Sequence, residues 1–294
     1  MPSPEHEELV EMMRTTNPLG SGDIETMRAG MAAAPPYPEP PDVAWAAADA
    51  GGVPAEWNTP DDCADGRTIV YYHGGGYGIG SVQSHRGLCS NLARAARARV
   101  LSVDYRLAPE HPYPAAVDDA VAAYRWAVAN GADPAKTAIG GDSAGGGLTV
   151  ATLIALRDAG DPLPAAGLCL SPWVDMTCSS ARIQEVAPRD PMLSPPVLEV
   201  FAKAYMAGAD PKAPTASPIF ADLAGLPPLL IQAGTAEVLI GEIEDFAARA
   251  KAAGVDVQLE VWDDMLHVWQ TFADMLPEGR QALADIGKYV EGRL

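Results

Sequence analysis

From Thr68 onward the apolar positions gather into short, nearly unbroken runs, separated by longer stretches with helical spacing. TIVYYH (Thr68–His73), VLSVDY (Val100–Tyr105), TAIGG (Thr137–Gly141), AGLCLS (Ala166–Ser171), PLLIQAG (Pro228–Gly234) and VQLEVW (Val257–Trp262) read as strands. Runs with so little polar alternation fit strands covered on both faces, the condition of a parallel sheet. Between them, HRGLCSNLARAARA, PAAVDDAVAAYRWAVAN and IGEIEDFAARAKAAG read as helices, the last closed by Gly254 as its C-terminal cap. Strand and helix in regular alternation predict an α/β chain with a mostly parallel central sheet flanked by helices.

Two segments break the rhythm. Residues 1–40 read as one or two amphipathic helices that end in the proline-rich turn APPYPEPPD, where helix cannot continue. Residues 177–220 replace a simple crossover with a long insert containing PRDPMLSPPVLEVFAKAYM. The expected division is a helical cap from 1–40 and 177–220 above a core from 41–176 and 221–294. Met12, Met13, Met192, Phe201 and Tyr205 are candidates to line an acyl pocket, since thioethers adapt to varied apolar ligands. The alternative for each is ordinary packing of cap on core.

Composition changes the picture mainly by exclusion. The chain has 294 residues, 48% of them hydrophobic, enough for a sizeable core. No apolar run approaches the roughly 20 residues that span a bilayer. MPSPEHEELVEMMR lacks the basic and apolar regions of a secretory signal. Cys63, Cys89, Cys169 and Cys178 are too scattered for a disulfide framework or zinc site, so a cytoplasmic protein is expected. A formal net charge of −19 argues against nucleic acid and anionic membrane surfaces as partners. It fits either a heavily solvated exterior or adaptation to salt.

The chemistry centres on IGGDSAGGGL (Ile139–Leu148), where Gly141-Asp142-Ser143-Ala144-Gly145 lies between a predicted strand and a predicted helix. G-x-S-x-G in that setting is a nucleophile elbow, a sharp turn that exposes the serine hydroxyl and leaves no space for side chains two residues either side. A serine needs a base, a carboxylate to orient it, and donors for an oxyanion. His73-Gly74-Gly75-Gly76-Tyr77 follows a strand with bare backbone N–H groups that could join the N–H of Ala144. Tyr77 beside them is a candidate substrate-binding residue. Among the histidines, His6 is expected to be exposed, His73 belongs to the glycine turn, His85 opens a helix and His111 sits in a proline-punctuated loop. His267 follows the last strand and alone lies beyond the serine, as the order Ser, acid, His requires. Glu237 is the first carboxylate past PLLIQAG, with Glu242 as the fallback and a helix N-terminal acid as the bland alternative.

HGGG, DYRLAPEHPYPAAVDDAVAAYRW, GDSAGG, SPWVDMT and MLHVWQ, in this order, resemble the hormone-sensitive-lipase-like esterases, a bacterial family of α/β-hydrolases. The resemblance covers most of the chain from Thr68. It implies Ser143 as nucleophile, His267 as base, and Gly74, Gly75 and Ala144 as oxyanion donors. The family's usual acid is an aspartate in a D-P-L-x-D-like context, where this chain has Glu237 within AEVLIGE, and the second acid of that pattern is replaced by Gly241. The implied activity is hydrolysis of short-chain acyl esters through an acyl-enzyme, with no metal or other cofactor. Alternatives are an amidase, deacetylase or lactonase with the same triad, or a ligand-binding hydrolase-fold protein. The resemblance also leaves room for a homodimer.

Overall fold

The computed structural model describes residues 2–16, 19–20, 23–33 and 35–294. Parts of the expected N-terminal cap segment (residues 1, 17, 18, 21, 22 and 34) lie outside the described residues. Helices α1 (Pro4–Thr16) and α2 (Ile24–Ala32) precede strands β1 (Val43–Asp49), β2 (Pro54–Pro60) and β3 (Thr68–Tyr72). There follow α3 (Arg86–Ala96), β4 (Arg99–Val103), α4 (Ala115–Ala129), β5 (Thr137–Asp142), α5 (Ala144–Ala159) and β6 (Ala166–Leu170). The long insert carries α6 (Arg182–Val186) and α7 (Pro195–Met206), and the chain closes with β7 (Leu229–Gly234), α8 (Ile240–Ala252), β8 (Val257–Trp262) and α9 (Pro277–Glu291). Among the described residues no helix is long and apolar enough to cross a membrane.

The strands form one sheet in the order β1-β2-β4-β3-β5-β6-β7-β8. From β4 to β8 every neighbour is parallel, while β1 and β2 form an antiparallel ribbon on β4. The six expected strands are β3 to β8. In all but β8, which alternates, the lack of alternation has a direct cause. Along β3, Ile69 and Tyr71 point into the layer shared with Leu88 and Leu92 of α3 and Ile286 of α9, whereas Val70 and Tyr72 point into the opposite layer with α4 and α5. All five β3 residues are buried, so no face is left for polar side chains.

This order brings four loops to one end of the sheet. The β3, β5, β7 and β8 strands all run parallel, so the segments after Tyr72, Asp142, Gly234 and Trp262 emerge together at their carboxyl ends. The helices outside the α/β core are fastened to that end. Arg28 of α2 donates from Nε to the Gly78 carbonyl and from Nη2 to the Ala108 carbonyl, both at 2.7 Å, and pairs with Glu110. Tyr205 of α7 stacks on Tyr77 with ring centroids 3.8 Å apart and planes 5° from parallel.

Candidate active site

Ser143 stands between β5 and α5 with φ 53° and ψ −120°. That conformation is rarely adopted by a residue with a side chain and persists only where the surroundings over-determine it. Here they do. The Ser143 N–H donates to Leu170 O, and its carbonyl accepts from Gly147 and Trp173. The flanking glycines are obligatory, because a Cβ on Gly141 or Gly145 would overlap the Tyr72 carbonyl. The sequence TAIGGDSAGGG thus makes a tight strand-to-helix turn with a serine at its apex.

His267 follows β8 and Glu237 follows β7. His267 Nδ1 lies 2.6 Å from Glu237 Oε2, and both side chains are almost fully buried. Glu237 Oε1 accepts from the Gly234 N–H at 2.5 Å and from Ser171 Oγ at 3.1 Å. The carboxylate is therefore fixed on both oxygens and selects the tautomer with the proton on Nδ1. His267 Nε2 is buried without a partner among the described residues, and His267 and Ser143 line the same cavity. Burial lowers the His267 pKa, but the facing Glu237 carboxylate outweighs it and carries the imidazole above its ordinary value. Burial pushes the Glu237 carboxyl upward, and its hydrogen bonds to His267 and Gly234 offset this only in part.

Within the glycine turn, Gly74 is placed differently from Gly75 and Gly76. The Gly74 N–H is already engaged, donating to Asp142 Oδ1 at 3.1 Å and lying 3.3 Å from His85 Nε2. Gly74 itself does not line the cavity. Gly75 and Gly76 do line it, and among the described residues their N–H groups have no acceptor. Three consecutive glycines carry the same signal in sequence, and only the turn decides which N–H groups face inward. Ala144, next to the serine, begins α5, whose N-terminus favours negative charge.

The cavity encloses about 540 Å³. Segment 1–40 contributes Met13, Leu19, Met27 and Met31, and the insert contributes Met192, Leu193, Leu198 and Phe201. Trp173, Val268 and Phe272 complete an apolar wall.

Residues 69–271 match a family model described as alpha/beta hydrolase fold. The chain belongs to the α/β-hydrolases. Within them it is similar to the acetyl-hydrolase of Streptomyces hygroscopicus, with 49% identity over 240 residues, covering 82% of this chain and 80% of that protein. A solved esterase of the bacterial hormone-sensitive lipase family superposes with a TM-score of 0.94 at 47% identity, covering 100% and 99% of the two chains. The esterase EstE5, in a crystal soaked by p-nitrophenyl butyrate, gives a TM-score of 0.95 at 44% identity, with 99% of each chain covered.

Several expectations about this hydrolase need correction. Tyr77 is buried and absent from the cavity wall, because its ring is used to stack on Tyr205. Tyr205 is behind the wall for the same reason, and Met12 is 43% exposed, one position out of phase with the cavity-lining Met13. His6 is buried rather than exposed. Glu242, the fallback acid, is turned away from His267 and accepts from the N–H groups of Val174 and Asp175. The missing second acid at Gly241 also has a cause. A side chain there would overlap Ser180 Oγ and press on Arg182.

One group was not singled out in the sequence, and another, expected only to open a helix, has a different place. Asp190, in the insert, accepts from Met192 and Leu193 on Oδ1 and from Val238 on Oδ2, each at 2.9 Å. It links the cavity wall to the residue after Glu237 and acts electrostatically on His267. Its only local signal is an Asp-Pro pair in a loop. The other is His85, which makes no capping bond on α3 but lies 3.4 Å from Asp142 Oδ2.

Proposed function

We propose that this hydrolase is a serine carboxylesterase that cleaves short-chain acyl esters through an acyl-enzyme. The observation that carries it is the His267 imidazole, fixed at Nδ1 by Glu237 with Nε2 unpartnered, in the same cavity as a serine held at positive φ. Ser143 Oγ attacks the ester carbonyl while His267 Nε2 takes its proton. The tetrahedral oxyanion accepts hydrogen bonds from the N–H groups of Ala144, Gly75 and Gly76. His267 then protonates the departing alcohol, and the serine is left acylated. Water, deprotonated at Nε2, attacks the acyl carbonyl, and the returning proton frees Ser143 and the acid. Glu237 keeps its charge throughout and stabilises the transient imidazolium.

Residues 1–40 and 177–220 act as the cap of this enzyme, since both supply walls of the cavity. Enclosure by apolar side chains favours short, uncharged esters, in keeping with the butyrate ester used with EstE5. The four unpaired cysteines agree with a cytoplasmic setting. A fluorophosphonate probe should label Ser143, and a panel of esters, amides and lactones should show fastest turnover on esters, with C4 ahead of C12. An unlabelled Ser143, or amides outrunning esters, would refute the assignment.

A further inference from the structure

The cavity holds a second histidine and carboxylate, His85 and Asp142, that the mechanism above does not use. Asp142 ends β5 just before Ser143 and is buried under the oxyanion loop. Its Oδ1 accepts from the Tyr71 hydroxyl at 2.9 Å and from the Gly74 N–H at 3.1 Å, while Oδ2 faces His85 Nε2 at 3.4 Å. His85 Nδ1 lies 2.9 Å from Ser84 Oγ. The fit is tight, since a Cβ on Gly74 would overlap Asp142 Oδ2. We propose that His85 is a positioning residue of the oxyanion loop: by gripping Asp142 it fixes the Gly74 N–H and so aims the N–H groups of Gly75 and Gly76 into the cavity. The proposal rests on the esterase reading given above.

The geometry makes this grip depend on a proton. With Nε2 protonated, His85 donates to Asp142 Oδ2 and leaves Oδ1 to Tyr71 and Gly74. Loss of one proton from the imidazolium leaves a neutral ring that the facing carboxylate keeps in its Nε2–H form, so the donation to Oδ2 stays and only the charge of the pair is lost. The titratable groups around the pair are His73, Cys89, Tyr71 and, across the cavity, His267. His73 is neutral, pushed down to about 3 by burial and by His85, and burial raises both Cys89 and Tyr71, so these three add no charge at neutral pH. Arg86, next along the chain, is paired with Glu56. Burial lowers the His85 pKa, yet Asp142 carries it above the ordinary histidine value. Because the donation to Asp142 survives that titration, His85 adds no alkaline limb to kcat.

Two variants test this against one control. In His85→Ala, kcat falls about 10²-fold, the usual penalty for misplaced catalytic groups, while KM changes little. In His85→Gln the amide N–H replaces Nε2–H, so most of the kcat lost in His85→Ala returns. A trifluoromethyl ketone, which forms a hemiketal oxyanion on Ser143, should lose affinity in His85→Ala in proportion to kcat/KM. Wild-type kcat and ketone affinity in His85→Ala would overturn the proposal, as would a His85→Gln variant whose kcat stays about 10²-fold below wild type. Should His85→Ala fail to fold, His85→Gln alone decides. Ser143→Ala separates the two levels, because turnover surviving in that variant would overturn the serine mechanism itself.

Discussion

At Ser143, catalysis and stability pull in opposite directions. A non-glycine residue at φ 53° carries strain of about 1–3 kcal/mol, which glycine would not feel. Ser143→Gly should abolish turnover, with a loss of about 10⁶ in kcat, and yet raise Tm; a lower Tm would mean that the turn stores no strain. At the other end of the triad, Glu237→Gln keeps a hydrogen-bond acceptor but removes the charge, and a loss of about 10⁴ in kcat is expected by analogy with an aspartate-to-asparagine change in a serine protease. The pH profile follows from sign. His267 must be neutral to accept a proton, and its pKa is raised above the ordinary value, net of burial, by Glu237. Activity is thus present above that value and lost as pH falls through it. Asp190 adds to the rise, so Asp190→Asn should move the acid limb to lower pH, while an unmoved limb would reduce Asp190 to a structural tie. Ser143, Glu237 and His267 were legible because each stands in a motif or at a strand end fixed by chain order. Asp190 was not, since its role depends on a loop of the insert folding back to Val238, which no local pattern encodes.

At the scale of elements, legibility followed burial. β3 to β7 are parallel-paired and nearly all apolar, so each announces itself within a few residues, while the half-exposed edge strand β8 shows by its alternation of apolar and polar residues. β1 and β2 do not. In β1 only Val43 is buried, and β2 begins and ends in proline, a pattern that fits an edge ribbon but carries little strand signal. The helices at the carboxyl end of the sheet were visible by their amphipathic spacing, but the means of fastening them were not. Arg28 shows why. Nothing in ETMRAGM marks an arginine that will reach two carbonyls about 50 and 80 residues away. Its exposed ion pair with Glu110 is worth about 0–1 kcal/mol, and each backbone hydrogen bond adds about 1 kcal/mol. Arg28→Ala should therefore destabilise the docking of α2 by about 1–3 kcal/mol, seen as faster proteolysis within α2 and, because Met27 and Met31 line the cavity, as a higher KM. Unchanged proteolysis would show that apolar contacts alone hold the helix.

Across the whole molecule, charge is the property that most sets this chain apart. Thirty-nine acidic residues face 20 lysines and arginines, leaving −19, and much of that excess is drawn together when the chain folds. Repulsion of this kind opposes the folded state and is relieved by salt, with a Debye length of about 3 Å at 1 M against about 30 Å at 0.01 M. Salt also weakens exposed pairs such as Arg97–Asp62 and Arg189–Asp264, but at about 0–1 kcal/mol each these are the smaller effect. Tm should accordingly climb as sodium chloride is raised from about 0.01 M to about 1 M. Chloride is the proper probe, because sulfate would add its own strengthening of apolar burial. The buried pairs Glu237–His267 and Asp142–His85 are screened far less, so kcat on an uncharged ester should change little over the same range. A Tm that instead falls steadily with salt would mean that the surface pairs outweigh the repulsion, and the acidic exterior would then confer no advantage in salt.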